Sequence, residues 1–141
     1  MIRLAATAAA LLLTATPALA QSADSKIVLT FETGARTGQV MVALYDSAAA
    51  FDGGSSRPVA ATAISASGPV VATFGNLPAG DYAVKAFHDV NGDGQMNTNP
   101  FGMPTEPYAF SNNAVGNMGP ARWDRAHFAV SGETAQTISI K

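Results

Sequence analysis

Residues 70–87 read VVATFGNLPAGDYAVKAF and decide the fold class of this chain. Apolar side chains recur at every second position over 70–74 and again over 82–86. A period of two is typical of β-strands that bury one face, and the Pro-Ala-Gly sequence at 78–80 is typical of a turn. The stretch therefore predicts two β-strands separated by a turn.

The same alternation recurs along the rest of the chain. It covers residues 27–31, 40–45 and 125–130, a weaker run over 58–65, and the closing residues 138–140. Turn residues rich in Gly, Ser and Pro separate these runs. Short strands at this spacing predict an all-β fold, an antiparallel β-sandwich of about seven strands with negligible helix.

The first 20 residues have the features of a signal peptide. A positive charge at Arg3 precedes an apolar run over 4–13, and the small-x-small sequence Ala-Leu-Ala stands at 18–20. The apolar run is too short to span a bilayer. We therefore expect cleavage after residue 20, export to the periplasm or beyond, and a single β-sandwich domain over 21–141.

Composition excludes several classes of function. The chain has no cysteine, which excludes a disulfide framework, a thiolate metal site and a cysteine nucleophile. Charged residues are 13% of the chain and the net charge is −2, with no basic cluster. Nucleic acid and anionic membrane surfaces are therefore poor partners. No later stretch has the length of a membrane span, so we expect a soluble monomer.

One long segment, residues 89–124, lacks any periodicity and is rich in Gly, Pro and Asn. Loops longer than about 12–15 residues are uncommon in compact domains unless they are functional or disordered. Four aromatic residues spread through the segment favour an ordered loop that packs on the domain. These aromatic residues are Phe101, Tyr108, Phe110 and Trp123.

The start of this loop, HDVNGDGQMNTN at 88–99, predicts a calcium site. Asp and Asn side chains two residues apart, followed by Gly94, direct oxygen ligands toward one point in a tight loop. Pro100 stands where a helix-loop-helix calcium site requires Glu, so the loop is not an EF-hand. The alternative is a metal-free turn, because Asp, Asn and Gly are also common turn residues. The candidate ligands are Asp89, Asn91, Asp93, Gln95 through its carbonyl, Asn97 and the more distant Glu106.

The chain resembles a bacterial family of small exported proteins catalogued as a domain of unknown function. The residues that carry the resemblance are FHDVNGDG at 87–94, GMPTE at 102–106 and FSNN at 110–113. The stretch FGNLPAGDYAV at 74–84 is also similar to transthyretin-like and carboxypeptidase-regulatory β-sandwich domains. The resemblance implies a β-sandwich and export, and it implies no activity.

Two further sets of residues carry alternative functions. His88 with Asp89 and Ser111 would suit a small hydrolase, although a histidine at this position more often fixes a loop carbonyl. Tyr108 and Trp123 would suit a stacking platform for a glycan or another small ligand, or would close the core under the loop. The sequence favours a non-enzymatic binding or structural module of the cell envelope, whose partner is an envelope protein or a glycan.

Overall fold

The fold is built mainly from β-strands, as the alternating sequence predicts. The structure is a computed structural model, which describes residues 24–53 and 57–141. The predicted signal peptide and its cleavage site lie outside the described residues. Over the described ranges the elements are β1 (Ser25–Thr33), β2 (Gln39–Tyr45), α1 (Ala48–Asp52), β3 (Ala60–Ser65), β4 (Val70–Leu77), β5 (Gly80–Asp89), β6 (Tyr108–Phe110), a 3₁₀ helix (Ser111–Asn113), α2 (Trp123–Ala126), β7 (Phe128–Val130) and β8 (Glu133–Ile140).

The strands form two sheets. The first sheet has the order β4-β1-β8 and the second has the order β3-β2-β5-β6, with β7 pairing with the start of β5. The β1–β8 pair is parallel, with Ile27 opposite Thr134, and the remaining strand pairs are antiparallel. The predicted all-β sandwich is confirmed, and the single parallel pair is a feature that the sequence did not predict.

The main core lies between the two sheets. The inward residues of β1 and β2 are almost completely inaccessible to solvent, and Ile138 and Ile140 join them from β8. Full burial of one such aliphatic side chain contributes about 1.5–3 kcal/mol to folding. The inward residues of β1 and β2 are Ile27, Leu29, Phe31, Val40, Val42 and Leu44.

A second, smaller cluster covers one end of the outer face of the second sheet. Phe51 of α1 is its centre, with ring centroids 5.5 Å from Tyr45, 6.2 Å from Phe110 and 6.1 Å from Trp123. All three contacts are edge-to-face, an arrangement that aromatic rings prefer. We call Tyr45, Phe51, Phe110 and Trp123 the aromatic cap.

The structure corrects the prediction for residues 125–130. Arg125 and Ala126 lie in α2, and only Phe128–Val130 is a strand. The carboxylate of Asp52 accepts a hydrogen bond of 2.9 Å from the backbone N–H of Trp123, which satisfies a donor at the start of α2. Because this contact comes from a distant residue, the local alternation of apolar residues could not show it.

The long loop is ordered but differs from its prediction in two respects. Residues Tyr108–Phe110 form strand β6, with Tyr108 opposite Phe87 of β5. Phe101 does not pack on the domain, since 88% of its surface is exposed. In the described part of the chain, no helix has the length and apolar character needed to cross a membrane.

Candidate functional site

The Asp89 loop, residues 89–106, begins at the last residue of β5. Asp89 is fully buried, and each of its carboxylate oxygens accepts two hydrogen bonds. Oδ1 accepts from the backbone N–H groups of Gly92 at 2.8 Å and Asp93 at 3.1 Å. Oδ2 accepts from the N–H of Gly94 at 2.8 Å and from the Gln39 amide at 3.1 Å. The carboxylate therefore folds the loop around itself.

The same contacts set the ionisation of Asp89. Burial raises the pKa of this carboxyl, but the hydrogen bonds from Gln39, Gly94, Gly92 and Asp93 outweigh it and lower the pKa below its ordinary value. Gly92 and Gly94 have φ angles of +74° and +78°, in the region that glycine adopts most readily. Their backbone conformation lets successive N–H groups converge on one negative charge.

Glu106 joins the two ends of this turn. Its side chain is almost fully buried, and its oxygens accept from Val90 N at 3.0 Å and from Asn97 N at 3.1 Å. Thr105 N donates to Asn97 O at 2.9 Å beside it. The sequence predicted Glu106 as a distant ligand of a calcium ion at this loop. The structure does bring its carboxylate to the loop, where it accepts hydrogen bonds from backbone amides.

The remaining candidate ligands lie together on the exposed side of the loop. Asn97 Nδ2 and Asn91 Nδ2 both donate to Asp93 Oδ2, at 2.9 Å and 3.4 Å, and Asn91 Nδ2 also donates to Asn97 Oδ1 at 3.0 Å. Gln95 contributes its backbone N–H to Asp93 Oδ1 at 2.9 Å. Within residues 24–53 and 57–141, no cluster of three or more His, Cys, Asp or Glu side chains has the geometry of a metal site. A cation would therefore depend on the amide oxygens of Asn91 and Asn97 beside the Asp93 carboxylate.

The residues suggested for hydrolysis do not meet. His88 is buried, and its Nε2 atom lies 2.7 Å from the carbonyl oxygen of Thr37, the loop contact expected of a structural histidine. Ser111 Oγ donates to Ala126 O at 2.6 Å and accepts from Val84 N at 2.8 Å. Val84 and His88 are four residues apart on one strand, which is about 13 Å. Each group is bonded to backbone, away from the other.

The two aromatic residues proposed as a stacking platform also separate. Trp123 belongs to the aromatic cap and stacks on His127 with ring centroids 5.4 Å apart. Tyr108 is 43% exposed, and its ring contacts Phe110 of the aromatic cap with centroids 5.8 Å apart. Trp123 therefore closes a core, as one of the two alternatives predicted, whereas Tyr108 faces an open cavity.

That cavity, which we call the methionine cavity, is a concave surface on the outer face of the second sheet. Its volume is about 1100 Å³, and the four methionines that follow Met1 all line it. Small-ligand pockets usually measure about 300–1,000 Å³ and are mostly apolar. The side chains that define the cavity are Met41, Phe87, Met96, Met103, Tyr108 and Met118.

Its floor follows from strand register. Met41 of β2 lies opposite Phe87 of β5, and both alternate with residues buried in the main core, so they face outward. One wall comes from the Asp89 loop, where Asn99 Oδ1 accepts from Met103 N at 3.1 Å and Asn99 N donates to Met103 O at 2.9 Å. The polar network of the loop thus positions an apolar wall.

Lys85 of β5 stands between the methionine cavity and the aromatic cap. Over residues 24–53 and 57–141, it is the one charged residue that lines the cavity, and it is half-buried. Its Nζ donates to Phe51 O and lies 4.6 Å and 5.1 Å from the ring centroids of Phe51 and Tyr45. Burial lowers the pKa of Lys85, and the negative charge of Asp52 opposes that effect.

One family model matches the part of the chain that contains both features. The family described as "Uncharacterized protein conserved in bacteria", DUF2141, matches residues 32–139. The chain belongs to the DUF2141 family. Neither the curated proteins nor the solved structures contain a match to it. The family match covers the whole Asp89 loop and every residue of the methionine cavity.

Sequence reasoning missed the methionine cavity of this DUF2141 chain, although a signal for it exists. Strand β2 reads QVMVALY, so both of its faces are apolar. A strand that is apolar on both faces is usually covered on both. In β2 one face contacts the main core, and Met41 on the other face has the cavity above it.

Proposed function

We propose that this DUF2141 protein is an exported, non-catalytic binding module whose ligand site is the methionine cavity. The observation that supports this proposal is the contrast between the two outer faces of the sandwich. The outer positions of β1 alternate with its buried residues, and three of the four, Lys26, Thr30 and Glu32, are polar, as is typical of a solvated face; the fourth is Val28. The second sheet instead carries an apolar concavity, and exposed apolar patches on soluble proteins mark interaction sites.

The side chains that line the cavity suit a binding surface. Methionine is unbranched and polarisable, so it adapts to ligands of different shape. Met103 and Met118 are largely exposed, which leaves their thioethers free to contact a ligand. Burial of apolar surface stabilises a complex by about 25 cal/mol per Å² before the costs of association.

Export and the lack of catalysis rest on separate observations. Export rests on the leader-like sequence of residues 1–20 and on the family resemblance. The non-catalytic assignment rests on His88 and Ser111, whose polar atoms are bonded to backbone groups at separate points. A hydrolase site of the Ser-His type requires the nucleophile, the base and an orienting group within reach of one reacting atom.

A fluorescent-probe titration tests the binding proposal. A neutral apolar dye such as N-phenyl-1-naphthylamine should bind the mature protein with enhanced emission, and Met41→Gln should weaken that binding about tenfold or more because it makes the floor polar. Val71→Thr, on the outer face of β4 in the first sheet, is the control and should leave binding unchanged. Absence of dye binding, or equal binding by Met41→Gln, would contradict a ligand site in the cavity.

We further propose that calcium binds weakly at the exposed side of the Asp89 loop and stabilises the cavity wall. Asp93, Asn91 and Asn97 already lie within hydrogen-bond distance of one another, and rotation of either amide would turn an oxygen toward the Asp93 carboxylate. Oxygen ligands of this kind suit calcium. Asp89 and Glu106 would not contact the ion; their hydrogen bonds to backbone N–H groups would hold the loop in the shape that places the ligands. Calorimetry with calcium chloride, on wild type and Asp93→Asn, tests this proposal, and no heat of binding to wild type would refute it.

A further inference from the structure

Lys85 forms no ion pair in the described part of the chain, although the Asp52 carboxylate is close enough to act on its charge. In residues 24–53 and 57–141, the ion pairs join Lys26 to Glu133 and Arg122 to Asp52, and neither includes Lys85. The lysine ammonium has three donors, and the Phe51 carbonyl accepts one of them. A half-buried cation therefore stands at the edge of an apolar cavity with donors to spare.

Such a cation is costly unless an anion compensates it. Taking a charge out of water is unfavourable, and the lowered pKa of Lys85 reflects that cost. The rings of Tyr45 and Phe51 offset part of it through their negative faces. A ligand anion would offset more, since a hydrogen bond between two charged groups is about twice as strong as a neutral one.

We propose that the methionine cavity binds a long-chain monoanionic amphiphile, with its anionic head at Lys85 and its alkyl chain along Met41, Phe87 and Met103. This inference rests on the proposed function and names its ligand class. Charge complementarity selects the head, because Lys85 is the only charged group among the described residues that line the cavity. The apolar floor and walls select the chain, and a volume of about 1100 Å³ accommodates it.

The same features disfavour other ligands. A glycan needs several polar partners in its site, and the cavity lining is mostly methionine, alanine and aromatic. A head group with several negative charges would meet one cation only, and Asp52 close to Lys85 would repel the excess charge. A fatty acid matches the site in both respects, with one negative charge on its head and an apolar chain.

The experiment compares dodecanoate with dodecanol, which share an alkyl chain and differ in head charge. Each ligand displaces N-phenyl-1-naphthylamine from the mature protein, and the ratio of the two dissociation constants is the readout. Wild type should prefer dodecanoate by about tenfold or more, the range of a hydrogen bond to a charged group. Lys85→Met should bring the ratio close to one, and Lys85→Arg should keep most of the preference.

Controls separate this inference from the proposed function. Lys26→Met removes a lysine from the other sheet and should keep the wild-type ratio. A wild-type ratio near one, or an unchanged ratio in Lys85→Met, would overturn the amphiphile assignment while leaving the cavity a binding site. Failure of both ligands and of the dye to bind would overturn the proposed function as well. Thermal melting of each variant verifies that it is folded before its ratio is read.

Discussion

The Asp89 loop contributes a wall to the methionine cavity, but the two regions differ in how completely their side chains are hydrogen-bonded or covered. In the loop, Asp89 and Glu106 accept six hydrogen bonds between them, and each of their oxygens has a partner. In the cavity, Met103 and Met118 have most of their surface exposed, and neither ion pair of the described residues includes Lys85. The contrast teaches that the most polar part of this chain serves its architecture, while the incompletely covered apolar part is available for a ligand.

The largest effect that would test this contrast is expected at Asp89. Asp89→Ala leaves the N–H groups of Gly92, Asp93 and Gly94 without their acceptor, and should lower Tm by roughly 10 °C or more. It should also weaken dye binding, because the loop that carries Met103 loses its anchor. Asp124→Ala, an exposed acid on α2, is the matched control and should melt within about 2 °C of wild type. A mild Asp89→Ala phenotype would show that the loop does not depend on its carboxylate.

A smaller loss is expected at Glu106. Glu106→Ala removes the acceptor of Val90 N and Asn97 N, and should cost about 1–3 kcal/mol of unfolding free energy. Glu106→Gln keeps one oxygen acceptor and should cost less. Urea unfolding of both variants gives the measurement. Equal stability of the alanine variant and wild type would mean that water replaces Glu106 without loss.

Calcium binding at the Asp89 loop should change the stability of the protein by a smaller amount, and should raise it. The uncharged Asn97 and the absence of Glu at the twelfth position indicate an affinity on the order of 10⁻⁴ M. At 1 mM calcium this affinity stabilises the native state by about 1.4 kcal/mol, or roughly 4–8 °C in Tm. Asn97→Asp should enlarge the shift and Asp93→Asn should remove it. Identical melting in calcium and in chelator would leave the loop as a hydrogen-bonded turn.

The smallest effect on stability is expected at the cavity rim. Met103→Gln and Met118→Gln replace exposed side chains by polar ones of similar size, and each should change unfolding free energy by less than about 0.5 kcal/mol. Both should nevertheless weaken dye binding. The rim variants should therefore lose binding without losing stability, whereas Glu106→Ala should lose stability. A large loss of stability in either variant would show that the rim is part of the core.

The sequence predicted the Asp89 loop better than the methionine cavity, for a physical reason. The candidate ligands at 89, 91 and 93 are close in sequence, so their spacing brings them near one another, and the Glu106 carboxylate also lies at the loop. Metal binding by these residues stays a prediction. The cavity depends on which part of a sheet face other segments leave uncovered. That depends on α1 and α2, whose contact through Asp52 and Trp123 joins residues 71 apart in sequence.

The misread strand at 125–130 has the same origin. Ala126 and Phe128 fit an alternating pattern, but Ala126 is buried in the small cluster beneath the aromatic cap while Phe128 packs against the main core. One pattern thus spans two cores. Alternation shows that residues are buried and does not show which core they enter.

The parallel pairing of β1 with β8 has a consequence for how the chain folds. Ser25 Oγ accepts a hydrogen bond from Gly132 N, and the two residues are 107 positions apart in sequence. During synthesis from the amino end, β1 is present long before its neighbour β8, so one edge of its backbone stays unpaired throughout that interval. Non-local pairing of this kind slows folding and prolongs the exposure of an aggregation-prone edge.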